Sequence, residues 1–233
     1  MKQAFRRAFT LSLPVMAGYL SLGIAYGILM EDYGYNFIWS GLVSLFVYGG
    51  SIQFVALNFL KGGFSLLTIA IMTLLVNSRH IFYGLSLFNA YRPMGKKKPY
   101  MIYALSDETF SLLCSYKDQP GLDNNACMFF ICLIDHFWWT LGGVLGGLVG
   151  SLITFDTTGL DFAMTALFVV IFTEQWLEAK THIPAIVGIL SAIVCLNVFG
   201  SDNFLLPTLI VAVCILFLAK SPISVKLREE EGK

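Results

Sequence analysis

Apolar residues form long, nearly uninterrupted runs along the chain, at 8–30, 37–60, 64–90, 100–116, 126–153, 162–178, 183–199 and 204–219. The runs lack the strict alternation that marks β-strands, and several reach the roughly 20 residues that a helix needs to cross a bilayer. In lipid, each backbone amide must find its partner within its own helix or in a closed barrel. The pattern therefore predicts the all-α class, as a polytopic membrane helix bundle.

Composition and charge agree with this prediction. Of the 233 residues, 57% are hydrophobic and 13% are charged, whereas soluble domains carry about a quarter charged residues. The 15 basic and 15 acidic side chains cancel, which disfavours a nucleic-acid-binding arm. We therefore expect a single transmembrane domain over residues 1–233, embedded in a lipid bilayer and without a nucleic-acid partner.

Charged clusters flank the apolar runs, as a basic N-terminus, a basic loop at 91–99 and a short charged tail at 220–233. Basic residues favour the cytoplasmic side, which places both chain ends inside and predicts an even number of crossings. If every run crossed once, however, the basic loop would lie outside. We therefore predict that the runs at 64–90 and 100–116 are broken or re-entrant.

Other interruptions support broken helices. Gly49 and Gly50 break the second run, because each glycine weakens a helix by about 1 kcal/mol relative to alanine; close helix packing is the alternative reading of this pair. The pattern at 45–54 also recurs at 167–176, a constant offset of 122 residues. Duplicated halves with interrupted helices are common in secondary transporters, so this candidate internal repeat favours a transporter over a scaffolding protein.

Charged side chains within apolar runs need a reason, since each costs roughly 2.5–3.5 kcal/mol at a helix centre on insertion scales. Arg79 offers a planar fork for a carboxylate, and an interrupted helix adds the partial positive charge of a new N-terminus. The alternative is that Arg79 only balances Asp107 or Asp135, and both roles are compatible in different states of a transport cycle. We predict a central substrate site lined by Ser51, Gln53, Asn77, Arg79, His80 and Asp107.

Carboxyl groups in the same runs are candidates for proton coupling, because a poorly solvated carboxylate readily takes up a proton. The candidates are Asp107, Glu108, Asp135 and Glu174. Glu108 and Glu174 are equally well explained as charges that reach the interface from a helix end.

Other chemistry finds little support. The five cysteines contain no CxxC pair, so we interpret them as packing residues. No GxxxxGK[ST] loop occurs, and Ser51 lacks the strand–turn–helix setting of a hydrolase nucleophile. We therefore expect no cofactor, no metal and no enzymatic activity.

Four strings together resemble the AzlC family of branched-chain amino-acid permeases, at 49–54, 77–84, 106–110 and 172–176. The resemblance covers nearly the whole chain. It implies an exporter of valine, leucine and isoleucine, with methionine in some members, located in the bacterial inner membrane. It also implies a small membrane partner of the AzlD type.

The residue chemistry suits such a substrate. A zwitterion with an apolar side chain needs a cation for its carboxylate, an acceptor for its ammonium and a hydrophobic wall, which Arg79, Asp107 and the Phe-rich helices could supply. With no nucleotide-binding loop, a proton gradient would provide the energy. The prediction is a proton-coupled secondary exporter; a non-transporting membrane receptor and a channel-like pore for small zwitterions stay open as alternatives.

Overall fold

The computed structural model describes residues 1–60, 62–152, 169, 172–173, 176–177, 179, 181–200 and 204–218. Across these residues, the regular secondary structure is helical and contains no strand. The helices are α1 (Lys2–Asp32), α2 (Phe37–Phe46), α3 (Ser51–Leu60), α4 (Leu66–Asn77), α5 (Arg79–Ser86), a 3₁₀ helix (Arg92–Lys97), α6 (Lys98–Tyr103), α7 (Asp107–Ser115), α8 (Asn124–Leu152), α9 (Ile183–Phe199) and α10 (Leu205–Leu218). The prediction of an all-α protein is confirmed.

The chain divides into two compact units. Unit one comprises Met1–Phe64 and Val76–Met164, and unit two comprises Ser65–Leu75 and Thr165–Lys233. Within unit two, α9 and α10 pack against each other. Every predicted site residue apart from Glu174 belongs to unit one. Glu174, the charged tail at 220–233 and most of the second copy of the candidate repeat lie outside the described residues.

The core of unit one is the contact between its two longest helices, α1 and α8. Glycines on both helices face each other there: a Cβ on Gly23 would lie 2.9 Å from the Cα of Gly142, and a Cβ on Gly142 would lie 2.9 Å from the carbonyl oxygen of Tyr19. Small residues of this kind let two helix backbones approach closely in a membrane. Cys127 and Cys132 of α8 are buried, as the packing interpretation predicts, whereas two of the other cysteines are exposed.

Three apolar runs are interrupted. The second run is α2 and α3 with a break at 47–50, where Tyr48 and Gly50 have φ values of 43° and 50°. Such left-handed geometry suits glycine and is unfavourable for a tyrosine. The third run breaks at Ser78 between α4 and α5, and the fourth breaks at 104–106 between α6 and α7. The prediction of broken helices is confirmed.

Helix length follows from these breaks. Among the described residues, α1 and α8 are long and apolar enough to cross a membrane, and α4 with α5 would make a third span if the bent pair is taken as one. The remaining apolar helices, α2, α3, α9 and α10, have 10 to 17 residues. The basic loop at 91–99 contains the 3₁₀ helix and the start of α6. The number of crossings stays a prediction.

Candidate functional site

Three helices of unit one begin at residues that meet at one guanidinium group. Ser51 is the first residue of α3, Arg79 of α5 and Asp107 of α7. The Nη1 atom of Arg79 lies 2.5 Å from Oδ2 of Asp107, and Nη2 donates a hydrogen bond to Oγ of Ser51 at 3.1 Å. One guanidinium thus joins three helix starts, each of which carries partial positive charge. We call these three residues the Arg79 centre.

The Arg79 centre is only partly covered. The side chains of Arg79 and Asp107 are 26% and 32% exposed. Oδ1 of Asp107 and Nε of Arg79 are nevertheless buried, and neither has a hydrogen-bond partner among the described residues. The sequence left two possible ion-pair partners for Arg79, Asp107 and Asp135. In this conformation Arg79 pairs with Asp107 and not with Asp135. The pair retains polar atoms that a further polar group could satisfy.

An aromatic surface lies on the same two helices as the ion pair. The ring of Tyr83 on α5 stacks on Phe110 of α7, with the centroids 4.3 Å apart and the planes 15° apart. Tyr83 follows Arg79 by four residues and Phe110 follows Asp107 by three, spacings that place each ring near the charged residue of its own helix. The arrangement combines a charged pair with a flat apolar wall.

Asn77 and His80 lie at the break between α4 and α5. The Oδ1 atom of Asn77 is buried and has no hydrogen-bond partner among the described residues. Nδ1 of His80 is hydrogen-bonded to the main-chain oxygen of Asn77 at 3.1 Å, and its ring packs edge-on against Tyr83. Both residues lie close to Arg79 in the sequence. Neither side chain has a described hydrogen bond to Ser51 or Asp107.

Gln53 is fully buried beside the break that precedes α3. Its Oε1 accepts hydrogen bonds from the main-chain N–H of Gly49 at 3.1 Å and from Nε1 of Trp139 at 2.8 Å. Its Nε2 donates to Oγ of Ser44 at 3.3 Å. The Gln53 amide group thus connects the break at 47–50 to α2 and α8 by hydrogen bonds. Through the break, Gln53 holds the start of α3, where Ser51 contacts Arg79.

Replacing Gln53 with leucine is expected to destabilise the protein, because Gln53→Leu removes the partners of Gly49, Trp139 and Ser44. Each buried polar group left unpaired costs about 1–3 kcal/mol. The expected result is a clear fall in the unfolding temperature of the purified protein in detergent. Asn58→Leu is the matched control, since Asn58 is exposed on the same helix. Equal unfolding temperatures for the two variants would contradict the assigned role.

The remaining candidate carboxylates occupy different environments. Oε2 of Glu108 accepts a hydrogen bond from the hydroxyl of Tyr19 at 2.9 Å. Asp135 on α8 is 0% exposed, and its Oδ2 accepts from Oγ1 of Thr109 at 2.9 Å. Ser106 caps α7 by accepting from the main-chain N–H of Thr109 at 3.2 Å. The structure therefore adds three hydroxyl residues that sequence reasoning did not select.

A sequence signal existed for one of these three. Ser106 precedes two acidic residues, which is a typical start of a helix. Tyr19 and Thr109 carry no such signal, because a tyrosine or threonine in an apolar run is most simply explained by packing. Their contact with carboxylates is a product of how the helices assemble.

The helices are long or broken apolar segments, and an ion pair lies where three of them begin. These features define a multi-pass membrane protein with a polar centre. The model of the AzlC protein family matches residues 14–153, which include the whole Arg79 centre. The chain is 42% identical over 220 residues to the branched-chain amino acid transport protein AzlC of Bacillus subtilis, covering 94% of this chain and 87% of that protein. The chain belongs to the AzlC family.

Other relatives extend along most of the chain. An uncharacterized membrane protein of Haemophilus influenzae is 41% identical over 226 residues, covering 97% of this chain and 93% of the relative. A membrane protein of Helicobacter pylori is 41% identical over 216 residues, covering 93% of this chain and 95% of the relative. No solved structure matches the chain. The family that the sequence resembles and its location in a membrane are thereby confirmed.

Proposed function

We propose that this protein is a secondary transporter that exports branched-chain amino acids across the bacterial inner membrane. The observation that carries the proposal is the Arg79–Asp107 ion pair at the meeting point of three helix starts. Broken helices whose positive ends point at an anionic substrate group are a recurring design of secondary transporters. The relationship to a branched-chain amino acid transport protein supports the same substrate class.

The ion pair is chemically complementary to a zwitterion. The substrate carboxylate takes the place of Asp107 on the Arg79 fork, and the substrate ammonium binds the freed Asp107 carboxylate. Charge stays compensated throughout, which avoids the large cost of leaving either group unpaired in a low-dielectric site. The conformation with Arg79 bound to Asp107 is then the substrate-free state of the site.

The aliphatic side chain of the substrate packs on the wall formed by Tyr83 and Phe110. Each buried methylene group contributes about 0.8 kcal/mol, so leucine, isoleucine and valine bind better than alanine. The buried Oδ1 of Asn77 offers a further acceptor for the ammonium, with His80 beside it. Gln53 contributes through the position of Ser51.

Export is driven by protons, for which Asp107, Glu108, Asp135 and Glu174 are the candidate carriers. In this proposal the chain acts as a carrier and not as an enzyme. Its functional form includes a small membrane subunit of the AzlD type. Methionine, which is similar in size and polarity to leucine, is a secondary substrate.

Asp107→Asn is expected to reduce export at least about tenfold, because it removes the charge that holds the substrate ammonium, and charged hydrogen bonds contribute about 1.5–3 kcal/mol. Cells that lack their own branched-chain exporters are fed a valine dipeptide, and internal valine is measured with and without the protein and its partner. The control is Asp118→Asn, since Asp118 is an exposed loop residue.

The same assay separates the alternatives. If internal valine is the same in cells with and without the wild-type protein and its partner subunit, transport is excluded and a receptor is favoured. Valine efflux that persists after the pH gradient is collapsed would favour a channel-like pore. Normal export by Asp107→Asn would remove Asp107 from the substrate site.

A further inference from the structure

A row of hydroxyl groups connects two carboxyl groups on different helices of unit one. The hydroxyl of Tyr19 lies 2.9 Å from Oε2 of Glu108 and is also hydrogen-bonded to Oγ of Ser106. Ser106 contacts Oγ1 of Thr109 at 2.9 Å, and Thr109 contacts Oδ2 of Asp135 at 2.9 Å. We call Tyr19, Ser106 and Thr109 the hydroxyl chain. It runs without a gap from Glu108 to Asp135.

The two ends of the hydroxyl chain differ in exposure. Glu108 is exposed, whereas Tyr19 is 3% exposed and both Thr109 and Asp135 are 0% exposed. Asp135 has no ion-pair partner among the described residues, and its Oδ1 is buried without a hydrogen-bond partner. A carboxylate with no cation beside it is costly to bury, and taking up a proton removes that cost. The structure therefore favours a protonated Asp135.

Counting hydrogens supports the same conclusion. Four oxygen–oxygen contacts join the two carboxyl groups, and each needs one hydrogen. The three hydroxyls supply three of them, so a carboxyl must supply the fourth. When Asp135 holds that hydrogen, every hydroxyl donates toward Glu108. When Glu108 holds it, every hydroxyl donates toward Asp135.

We propose that the hydroxyl chain conducts protons between Glu108 and Asp135, and that Asp135 stores the proton. In one transfer, Glu108 gives its hydrogen to the Tyr19 oxygen while each hydroxyl passes its own hydrogen onward. Oδ2 of Asp135 gains one hydrogen, Glu108 loses one, and the hydroxyls are restored with reversed orientation. Glu108 directly follows Asp107, so the outer end of the chain lies beside the Arg79 centre.

The charged surroundings of the two ends fit these roles. The titratable groups that face Asp135 are Tyr19, Tyr48, Cys132 and Glu108, none of which is basic. Those that face Glu108 are Tyr19, Tyr83, Asp107, Asp135 and Arg79. A cation, the Arg79 guanidinium, thus lies among the groups that face Glu108, whereas none of the described groups that face Asp135 is a cation. When substrate separates Arg79 from Asp107, the electric field at Glu108 changes. This change couples proton transfer to substrate binding, a step that rests on the proposed function.

The direct test measures how fast the buried carboxyl exchanges its hydrogen for deuterium. Infrared spectra of the purified full-length protein are recorded near neutral pH after transfer to D₂O, and the C=O band of protonated Asp135 is assigned by its loss in Asp135→Asn. Tyr19→Phe removes the relay oxygen and keeps the ring that packs on Trp139. We expect Tyr19→Phe to slow the exchange by about a hundredfold, the lower range for loss of a positioned proton-transfer group.

Two further variants complete the test. Thr109→Val cuts the hydroxyl chain at its inner end with a side chain of the same shape, and we expect the same slowing. Tyr91→Phe removes a buried hydroxyl that lies outside the chain, and we expect the wild-type rate. The proposal is overturned if Asp135→Asn removes no carboxyl band. It is equally overturned if Tyr19→Phe or Thr109→Val, whichever folds, exchanges as fast as Tyr91→Phe.

A transport measurement places the hydroxyl chain in the export cycle. In vesicles that contain the protein and its partner, Tyr19→Phe should still exchange labelled valine at equal pH and should lose accumulation driven by a pH gradient. Full pH-driven accumulation by Tyr19→Phe would overturn the role in coupling. If the wild-type pair does not exchange valine, the proposed function fails, while the deuterium exchange rates still decide whether the hydroxyl chain conducts protons.

Discussion

Arg79→Lys is expected to lower valine export by about ten- to a hundredfold while the protein still inserts into the membrane. Lysine keeps the positive charge but has one ammonium nitrogen in place of the planar fork, so it does not reproduce the separate contacts of Nη1 with Asp107 and of Nη2 with Ser51. The lost charge-assisted hydrogen bonds contribute about 1.5–3 kcal/mol, which sets the expected range. The measurement is the internal valine concentration of cells fed a valine dipeptide.

The matched control is Arg92→Lys, because Arg92 is exposed in the 3₁₀ helix and makes no described contact with the Arg79 centre. An immunoblot of the membrane fraction verifies that both variants are present in equal amounts. Normal valine efflux from Arg79→Lys would remove Arg79 from the substrate site. The ion pair would then be a purely structural contact.

Gly27→Ala is expected to abolish most of the folded protein. A Cβ on Gly27 would overlap the backbone of Gly143 and Gly147 and would lie 2.7 Å from the carbonyl carbon of Gly146. The atoms in the way belong to the α8 backbone, so no flexible side chain can move aside. Overpacking typically costs about 1–3 kcal/mol and sometimes more. The measurement is the monodisperse fraction in size-exclusion chromatography after detergent extraction.

Gly18→Ala makes the identical change on the same helix and serves as the control. No atom lies within 4 Å of a Cβ built on Gly18. Alanine favours a helix over glycine by about 1 kcal/mol, so this variant should be as stable as the wild type or more stable. If the two variants elute alike, then the close approach of α1 and α8 is not required for folding.

Much of the architecture followed from local patterns. The apolar run at 126–153 corresponds to α8 at Asn124–Leu152, and the run at 183–199 coincides with α9. Paired glycines at 49–50 correctly indicated the break before α3, and the polar string at 77–80 contains the break at Ser78. These features depend on hydrophobic length and backbone propensity, which neighbouring residues determine. Candidate residues could be selected in the same way, because a charge in an apolar run is conspicuous wherever the helix lies.

The sequence by itself thus determined the helical class, the broken helices and the polar residues that need partners, whereas the tertiary structure decided which partners meet. Arg79 could have balanced Asp107 or Asp135, and only the packing of α5 against α7 selects Asp107. Tyr19 and Ser106 are 87 residues apart and still share a hydrogen bond. The physical reason is that helical spacing relates residues only within one helix. Contacts between helices depend on where each backbone lies, which the glycines of α1 and α8 determine by allowing close approach.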